Sequence, residues 1–150
     1  MRRRARQNPE PEFFDFGDGN GPVPAHRHLN WCSGRSGGWV ADTAFIDADS
    51  RVDEDALVFG NAKVFRSSLY SKARVWGNAI VTDTQLDDVV QIYGDAVITG
   101  KHGNRSWVEG DSVIHGRAVL GFGMYANIEM NGITTKPTLG AFLGKYWETR

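Results

Sequence analysis

The sequence has few of the features that identify disulfide-bonded, membrane-spanning, secreted or strongly charged proteins. It contains one cysteine among 150 residues, Cys32, so no intrachain disulfide can form, which fits a reducing compartment. No apolar run approaches the ~20 residues that span a bilayer, and the arginine-rich start has no apolar stretch after it, which predicts no secretory signal. The net charge of −1 gives no overall bias toward nucleic acid or membrane. We therefore expect a cytoplasmic protein that binds neither.

Familiar catalytic motifs are also missing. The sequence has no Walker lysine in a phosphate-binding loop and no Gly-x-Ser-x-Gly elbow. Gly17, Gly19 and Gly21 follow no predicted strand and open no helix, so they make only a weak nucleotide fingerprint. Cys32 has no evident base beside it, which predicts an inert thiol.

What the chain does have is 18 glycines and a six-residue repeat from Val40 to Leu120. A branched apolar residue recurs every six positions with a small residue four places later, as in Val52 with Ala56. Two units shorten to five residues, and a loop at 101–105 adds about four. Because six is a multiple of two, the apolar residues of an extended chain point the same way. We predict an all-β, single-stranded β-solenoid with triangular coils of about 18 residues.

This repeat resembles the left-handed β-helix, or hexapeptide-repeat, family. The resemblance implies a left-handed coil and a homotrimer, because members of that family are usually trimeric. The five-residue units and the frequent alanines depart from the family pattern. Small solenoids of this kind occur among uncharacterised bacterial and phage proteins, which implies a virion decoration or accessory protein and, if phage-encoded, a place in the virion.

The repeat divides the chain into four regions. Residues 1–12 are predicted to be a flexible basic arm, which we interpret as a solvated tail. Residues 13–39, rich in glycine, proline and aromatics, are predicted to be an irregular segment that caps the solenoid. Residues 40–123 form the solenoid, and residues 124–150 are a C-terminal extension that packs on it or on a neighbour.

Every third unit carries an aromatic-glycine motif after its inward aliphatic residue. The aliphatic residues of this motif are Val58, Val75, Ile92 and Ile114, at spacings of 17, 17 and 22. The residue that follows each must point outward, which predicts a ladder of rings. We expect this face to be an interface with neighbouring subunits, while cover by the chain's own termini or a ligand-stacking platform remain alternatives. The predicted interface or ligand residues are Phe59, Trp76, Tyr93, His115 and Arg117.

A second face is predicted to be acidic. Such a run usually keeps a surface solvated and blunts unwanted strand pairing. Cation binding or docking to a basic partner is the alternative. The residues are Asp53, Glu54, Asp55, Asp87, Asp88, Glu109 and Asp111.

Catalysis is the main alternative to a structural role. The family resemblance implies, as one option, an acyltransferase in which His102 or His115 acts as general base and acyl-CoA binds between subunits. Carbonic anhydrases built on the same coil hold zinc through three histidines, but no pair among His26, His28, His102 and His115 has the spacing expected for that site. We therefore predict no metal.

The sequence favours a non-enzymatic structural or binding module without cofactor. We expect a trimeric solenoid that joins other protein subunits in a larger assembly. The alternatives are an acyltransferase and a protein that sequesters a small molecule or nucleotide in clefts between subunits.

Overall fold

A computed structural model describes residues 10–131, which contain 18 short strands and no helix. Because each strand from β4 onward has only two to four residues, none of these strands can bury its apolar side chains alone, and stability comes from stacking. The strands are β1 (Phe13–Asp15), β2 (Pro22–Asn30), β3 (Arg35–Ala41), β4 (Phe45–Ile46), β5 (Arg51–Val52), β6 (Leu57–Val58), β7 (Lys63–Phe65), β8 (Ser68–Leu69), β9 (Arg74–Val75), β10 (Ile80–Thr82), β11 (Thr84–Leu86), β12 (Gln91–Ile92), β13 (Val97–Thr99), β14 (Ser106–Glu109), β15 (Val113–Ile114), β16 (Val119–Leu120), β17 (Met124–Ala126) and β18 (Glu129–Met130).

The strands stack into three sheets that the chain visits in turn. Sheet 1 has the order β1-β2-β3-β6-β9-β12-β15-β18, sheet 2 the order β16-β13-β10-β7-β4, and sheet 3 the order β17-β14-β11-β8-β5. From β3 onward all pairs are parallel. The predicted β-solenoid is confirmed, with about five turns.

The register follows the sequence repeat. Val58 pairs with Val75, Val75 with Ile92, and Ile92 with Ile114. The inward valines, leucines, isoleucines and alanines of successive coils form one continuous core that is almost fully buried. Burial of each larger aliphatic side chain contributes roughly 1.5–3 kcal/mol relative to exposure.

The shortened units are accommodated at the corner between sheets 2 and 3. There the left-handed backbone of Arg66 and Asp83 (φ 45° and 49°) makes a turn with one residue fewer. The same corner also holds the predicted insertion, where Lys101 and Asn104 form an antiparallel bridge. The repeat therefore varies in length at one corner, while the stacked strands stay in register.

The segment 13–39 is more regular than the sequence predicts. It forms an antiparallel hairpin, β1-β2, whose second strand pairs with β3 and so extends sheet 1 at its base. Glycines that read as loop residues serve close packing instead, because a Cβ on Gly37 would lie 1.9 Å from the carbonyl oxygen of Val52. The interpretation of this segment as irregular is therefore corrected.

The solenoid also runs beyond the predicted boundary at residue 123. β17 pairs with β14 and β18 pairs with β15, so a further coil continues to Met130. Tyr125 takes the inward position and lies almost fully buried at this end. Residues 1–9 and 132–150, which include most of the predicted basic arm and of the C-terminal extension, lie outside the described residues. Within 10–131, no helix is long and apolar enough to cross a membrane.

Candidate functional site

The predicted ring ladder is present on the outer surface of sheet 1. Phe59 stacks on Trp76 with ring centroids 5.3 Å apart, Trp76 on Tyr93 at 4.4 Å, and Tyr93 on His115 at 4.9 Å. The interplanar angles are 2°, 11° and 17°, so the rings are close to parallel. Each such pair contributes about 0.5–1.5 kcal/mol beyond its buried area.

A glycine column beside the ladder allows the coils to approach one another. Gly60, Gly77, Gly94 and Gly116 all have left-handed φ angles between 66° and 70°. A Cβ on Gly60 would lie 2.8 Å from the backbone nitrogen of Gly77, and the next pairs along the column are as tight. A side chain at these corners would therefore separate the coils.

The N-terminal segment covers the base of the ladder. Phe16 stacks on Phe59 at 4.7 Å and leaves it only 3% exposed, while Phe14 stacks on Trp39 at 4.9 Å. Arg74 donates a hydrogen bond of 2.7 Å to the carbonyl oxygen of Phe16. The lower ladder is therefore covered by the chain's own N-terminal segment.

The upper ladder is half-buried. The Nε2 atom of His115 lies 2.8 Å from Oε2 of Glu129, which fixes the imidazole ring. Because Trp76 and Tyr93 have a ring against both faces, a ligand can reach only their edges. Arg117 lies exposed at the corner that follows.

The acidic residues line a corner rather than a flat face. They lie between sheets 3 and 1 in three coils, and Lys72 interrupts them in a fourth. Two of them accept hydrogen bonds from the next coil: Asp87 from Trp107 Nε1 at 2.8 Å, and Asp88 from the Gly110 amide at 2.9 Å. These carboxylates therefore fix the turns. No group of three or more His, Cys, Asp or Glu in the described chain could hold a metal ion.

The four histidines lie in separate environments. His26 pairs with Asp42 at 2.8 Å, and buried His28 donates to the Ser50 carbonyl oxygen at 2.8 Å. His102 lies exposed in the inserted loop, and His115 ends the ladder. The structure does not bring three of them together.

Sequence reasoning missed a groove over sheet 3. The inserted loop folds back across one coil, where Arg105 Nη1 donates to Ser68 Oγ at 2.8 Å. The β2-β3 turn reaches the same region, and a cavity of about 190 Å³ lies between them. The sequence shows the inserted loop, which forms one wall of the cavity. No repeat pattern indicates which coil this loop contacts. The cavity is lined by Asn30, Trp31, Cys32, Ser33, Asp49, Ser50, Arg51, Ser68, Tyr70 and Arg105.

Sequence reasoning also missed an apolar face on sheet 2. Its outward row, in register across all five strands, is Phe45, Lys63, Ile80, Val97 and Val119. Phe45 is 48% exposed and Val119 46%. Since these residues immediately precede the inward aliphatics, alternation alone could have identified them. We call this row, with the half-buried Phe65 beside Phe45, the sheet 2 face.

A scan against protein-family models, a search of curated proteins and a search of solved structures each found no match to this chain.

Proposed function

We propose that the protein is a non-enzymatic structural module that assembles as a homotrimer through its flat solenoid faces. The observation that carries this proposal is the bare sheet 2 face, in which Lys63 is the single charged residue of the outward row. The proposal keeps the trimer implied by the resemblance to hexapeptide-repeat proteins, but moves its main contact from the ring ladder to sheet 2.

Parallel sheets support this choice of face. They occur almost only with both surfaces covered, because both carry apolar side chains. The inner surface of sheet 2 packs in the core, and none of the described residues covers its outer surface. Five strands at a spacing of about 4.8 Å give an apolar strip roughly 19 Å long. Such strips on soluble proteins mark contact sites.

A second apolar patch gives this face a complement. In a ring of three subunits, each interface joins two different patches of the same chain. On sheet 3, Trp107 is 40% exposed and Met124 43%, and these two residues are paired in register on adjacent strands. We infer that the sheet 2 face of one subunit packs on this patch of the next.

The wider role is an assembly component. A rigid body whose faces bind other copies suits a protein that joins further protein subunits, such as a phage virion decoration or accessory protein, or a cytoplasmic scaffold. This part of the proposal rests on the family resemblance and the architecture.

Native mass spectrometry of the full chain tests the trimer. Val97→Glu places a charge in the centre of the sheet 2 face, and we expect it to convert trimer to monomer, because a buried unpaired carboxylate is strongly unfavourable. Asn61→Glu adds the same charge at an exposed corner and should leave the trimer intact. A monomeric wild-type protein, or a trimeric Val97→Glu variant, would contradict the proposal.

A second candidate function is acyl transfer, favoured by the His115–Glu129 pair. A histidine oriented by a carboxylate is an arrangement used for general base catalysis. Under this alternative, acetyl-CoA should bind in calorimetry, and His115→Gln should abolish turnover of an amine or hydroxyl acceptor. Under our leading proposal, no turnover is observed.

A further inference from the structure

Two departures from the solenoid repeat converge on one place. The β2-β3 turn brings Trp31 and Cys32 to the lower part of sheet 3, and the inserted loop brings Arg105 there from two coils above. Ser68 lies in β8 and Arg105 directly precedes β14, with β11 between these two strands. Without the insertion, the Arg105 side chain could not contact Ser68. The groove between these segments is distinct from the sheet 2 face and the ring ladder.

Arg105 is the available cation of the groove. Of the three arginines nearby, Arg66 donates two hydrogen bonds to Asp83, and Arg51 pairs with Asp53 at 3.2 Å. No carboxylate among residues 10–131 lies within 4.0 Å of the guanidinium of Arg105, whose one hydrogen bond is to Ser68. A guanidinium group has five N–H donors, so most of its hydrogen-bonding capacity is unused.

Aromatic surface lies beside this cation. Trp31 is 63% exposed in the turn, and Tyr70 also lines the cavity, with the guanidinium of Arg51 over its ring at 5.3 Å from the ring centre. A largely exposed tryptophan on a soluble protein indicates a contact surface. Together these groups provide a surface on which a planar ring can stack.

A second cavity extends the groove behind Arg105. It measures about 340 Å³ and is lined by Arg66, Asp83, His102 and Gly103, together with Asp49 and Arg105. Asp83 is already paired with Arg66, so the anion-binding groups that remain are Arg105 and His102. Asp49 borders both cavities and repels an anion, so a bound anion must lie on the Arg105 side, away from this carboxylate.

We propose that this groove binds a planar aromatic group that carries a carboxylate or phosphate. The ring lies against Trp31 and Tyr70, and the anion takes a charge-assisted pair of hydrogen bonds from Arg105. The site is contained within one subunit, so the proposal does not depend on the trimer.

Calorimetry with four probes tests the site: AMP, 4-hydroxybenzoate, adenosine and inorganic phosphate. We expect AMP or 4-hydroxybenzoate to bind with a Kd below 1 mM, and adenosine and phosphate alone to bind at least tenfold more weakly. The preferred probe distinguishes a phosphate from a carboxylate ligand. If neither AMP nor 4-hydroxybenzoate binds at 5 mM, the proposal is wrong.

Variants locate the binding. Arg105→Gln and Trp31→Ala should each weaken binding of the preferred probe at least tenfold, whereas Arg117→Gln, at the exposed corner after the ring ladder, should not. Because Cys32 is the single cysteine and lines the groove, its labelling by a chromogenic disulfide reagent should slow severalfold when the probe is bound. Unchanged affinity in both groove variants, or unchanged labelling at saturation, would overturn the assignment.

Discussion

Trp76 and Tyr93 stack face to face, with ring centroids 4.4 Å apart, although they lie in different coils. This contact joins adjacent coils of the solenoid on the outer surface, as the aliphatic core joins them inside. Together with Phe59 below and His115 above, it ties four coils together. The ladder is therefore a stabilising element in its own right.

Removal of the central ring tests this role. Trp76→Ala eliminates two stacks and part of a satellite core, and we expect a loss of roughly 2–4 kcal/mol in the free energy of unfolding. Trp76→Phe keeps a ring in the stack and should lose less than about 1 kcal/mol. Urea denaturation at fixed protein concentration measures both. Trp31→Ala, at an exposed turn, is the control and should change stability by less than about 0.5 kcal/mol.

The glycine column provides a second test. Gly77→Ala forces a left-handed φ of 70° on alanine and places its Cβ 2.9 Å from the backbone nitrogen of Gly94. Gly103→Ala has the same backbone strain, at φ 80°, but meets nothing within 4 Å. We expect roughly 1 kcal/mol of destabilisation at Gly103 and at least about 1 kcal/mol more at Gly77. Urea denaturation measures the free energy of unfolding of both variants. If Gly77→Ala and Gly103→Ala lose equal amounts, crowding between coils has no effect on stability.

The sequence allowed accurate prediction wherever a local period determined the structure. The spacing of Val58, Val75, Ile92 and Ile114 already gave the register, because the stacking of equivalent residues follows from the repeat. The ring ladder followed from the same register and the alternation of side chains.

The rest depends on contacts that no period encodes. The β2-β3 hairpin is attached to the first coil by Asn30, whose amide nitrogen donates to the Val52 carbonyl oxygen and whose amide oxygen accepts from the Val52 backbone N–H, a contact between distant segments. The groove depends on the contact of Arg105 with Ser68 across an intervening coil. Glycine and proline content predicted loops in 13–39, but tertiary pairing overrode that local preference.

The ion pair at the short corner predicts a dependence of stability on pH. Hydrogen bonds from Arg66 hold the pKa of Asp83 below its usual range, and the attraction of His102 and Arg105 acts in the same direction. A lowered pKa in the folded state stabilises the fold above the unfolded pKa of about 3.9, and this contribution is lost as the pH falls through the folded value.

Asp83→Asn tests this effect, since asparagine tolerates the left-handed backbone there. We expect a Tm about 5 °C lower at pH 7, with the difference from wild type shrinking as the pH falls from 5 to 2. Asp88→Asn is the matched control, because Asp88 is also left-handed (φ 57°) but exposed and without an arginine partner. Thermal melts should show a smaller, less pH-dependent change there. A constant difference for Asp83→Asn across the pH range would refute the linkage.

Tyr125 predicts a change at the alkaline end. Burial raises its pKa to about 12, and its hydroxyl donates a 2.9 Å hydrogen bond to the Gly121 carbonyl oxygen. Since the folded pKa lies above the unfolded value of about 10, the neutral side chain stabilises the fold fully below pH 10, and that stabilisation is lost as the pH rises toward 12. Ultraviolet difference titration at 295 nm should therefore show a late phenolate step near pH 12.

Tyr125→Phe assigns that step to the buried ring in β17. The variant should lose the late step and about 1 kcal/mol of stability at neutral pH, because the carbonyl of Gly121 loses its donor. Tyr70→Phe should keep the late step. If the step survives in Tyr125→Phe, it belongs to another tyrosine, and burial does not raise the pKa of Tyr125 to about 12.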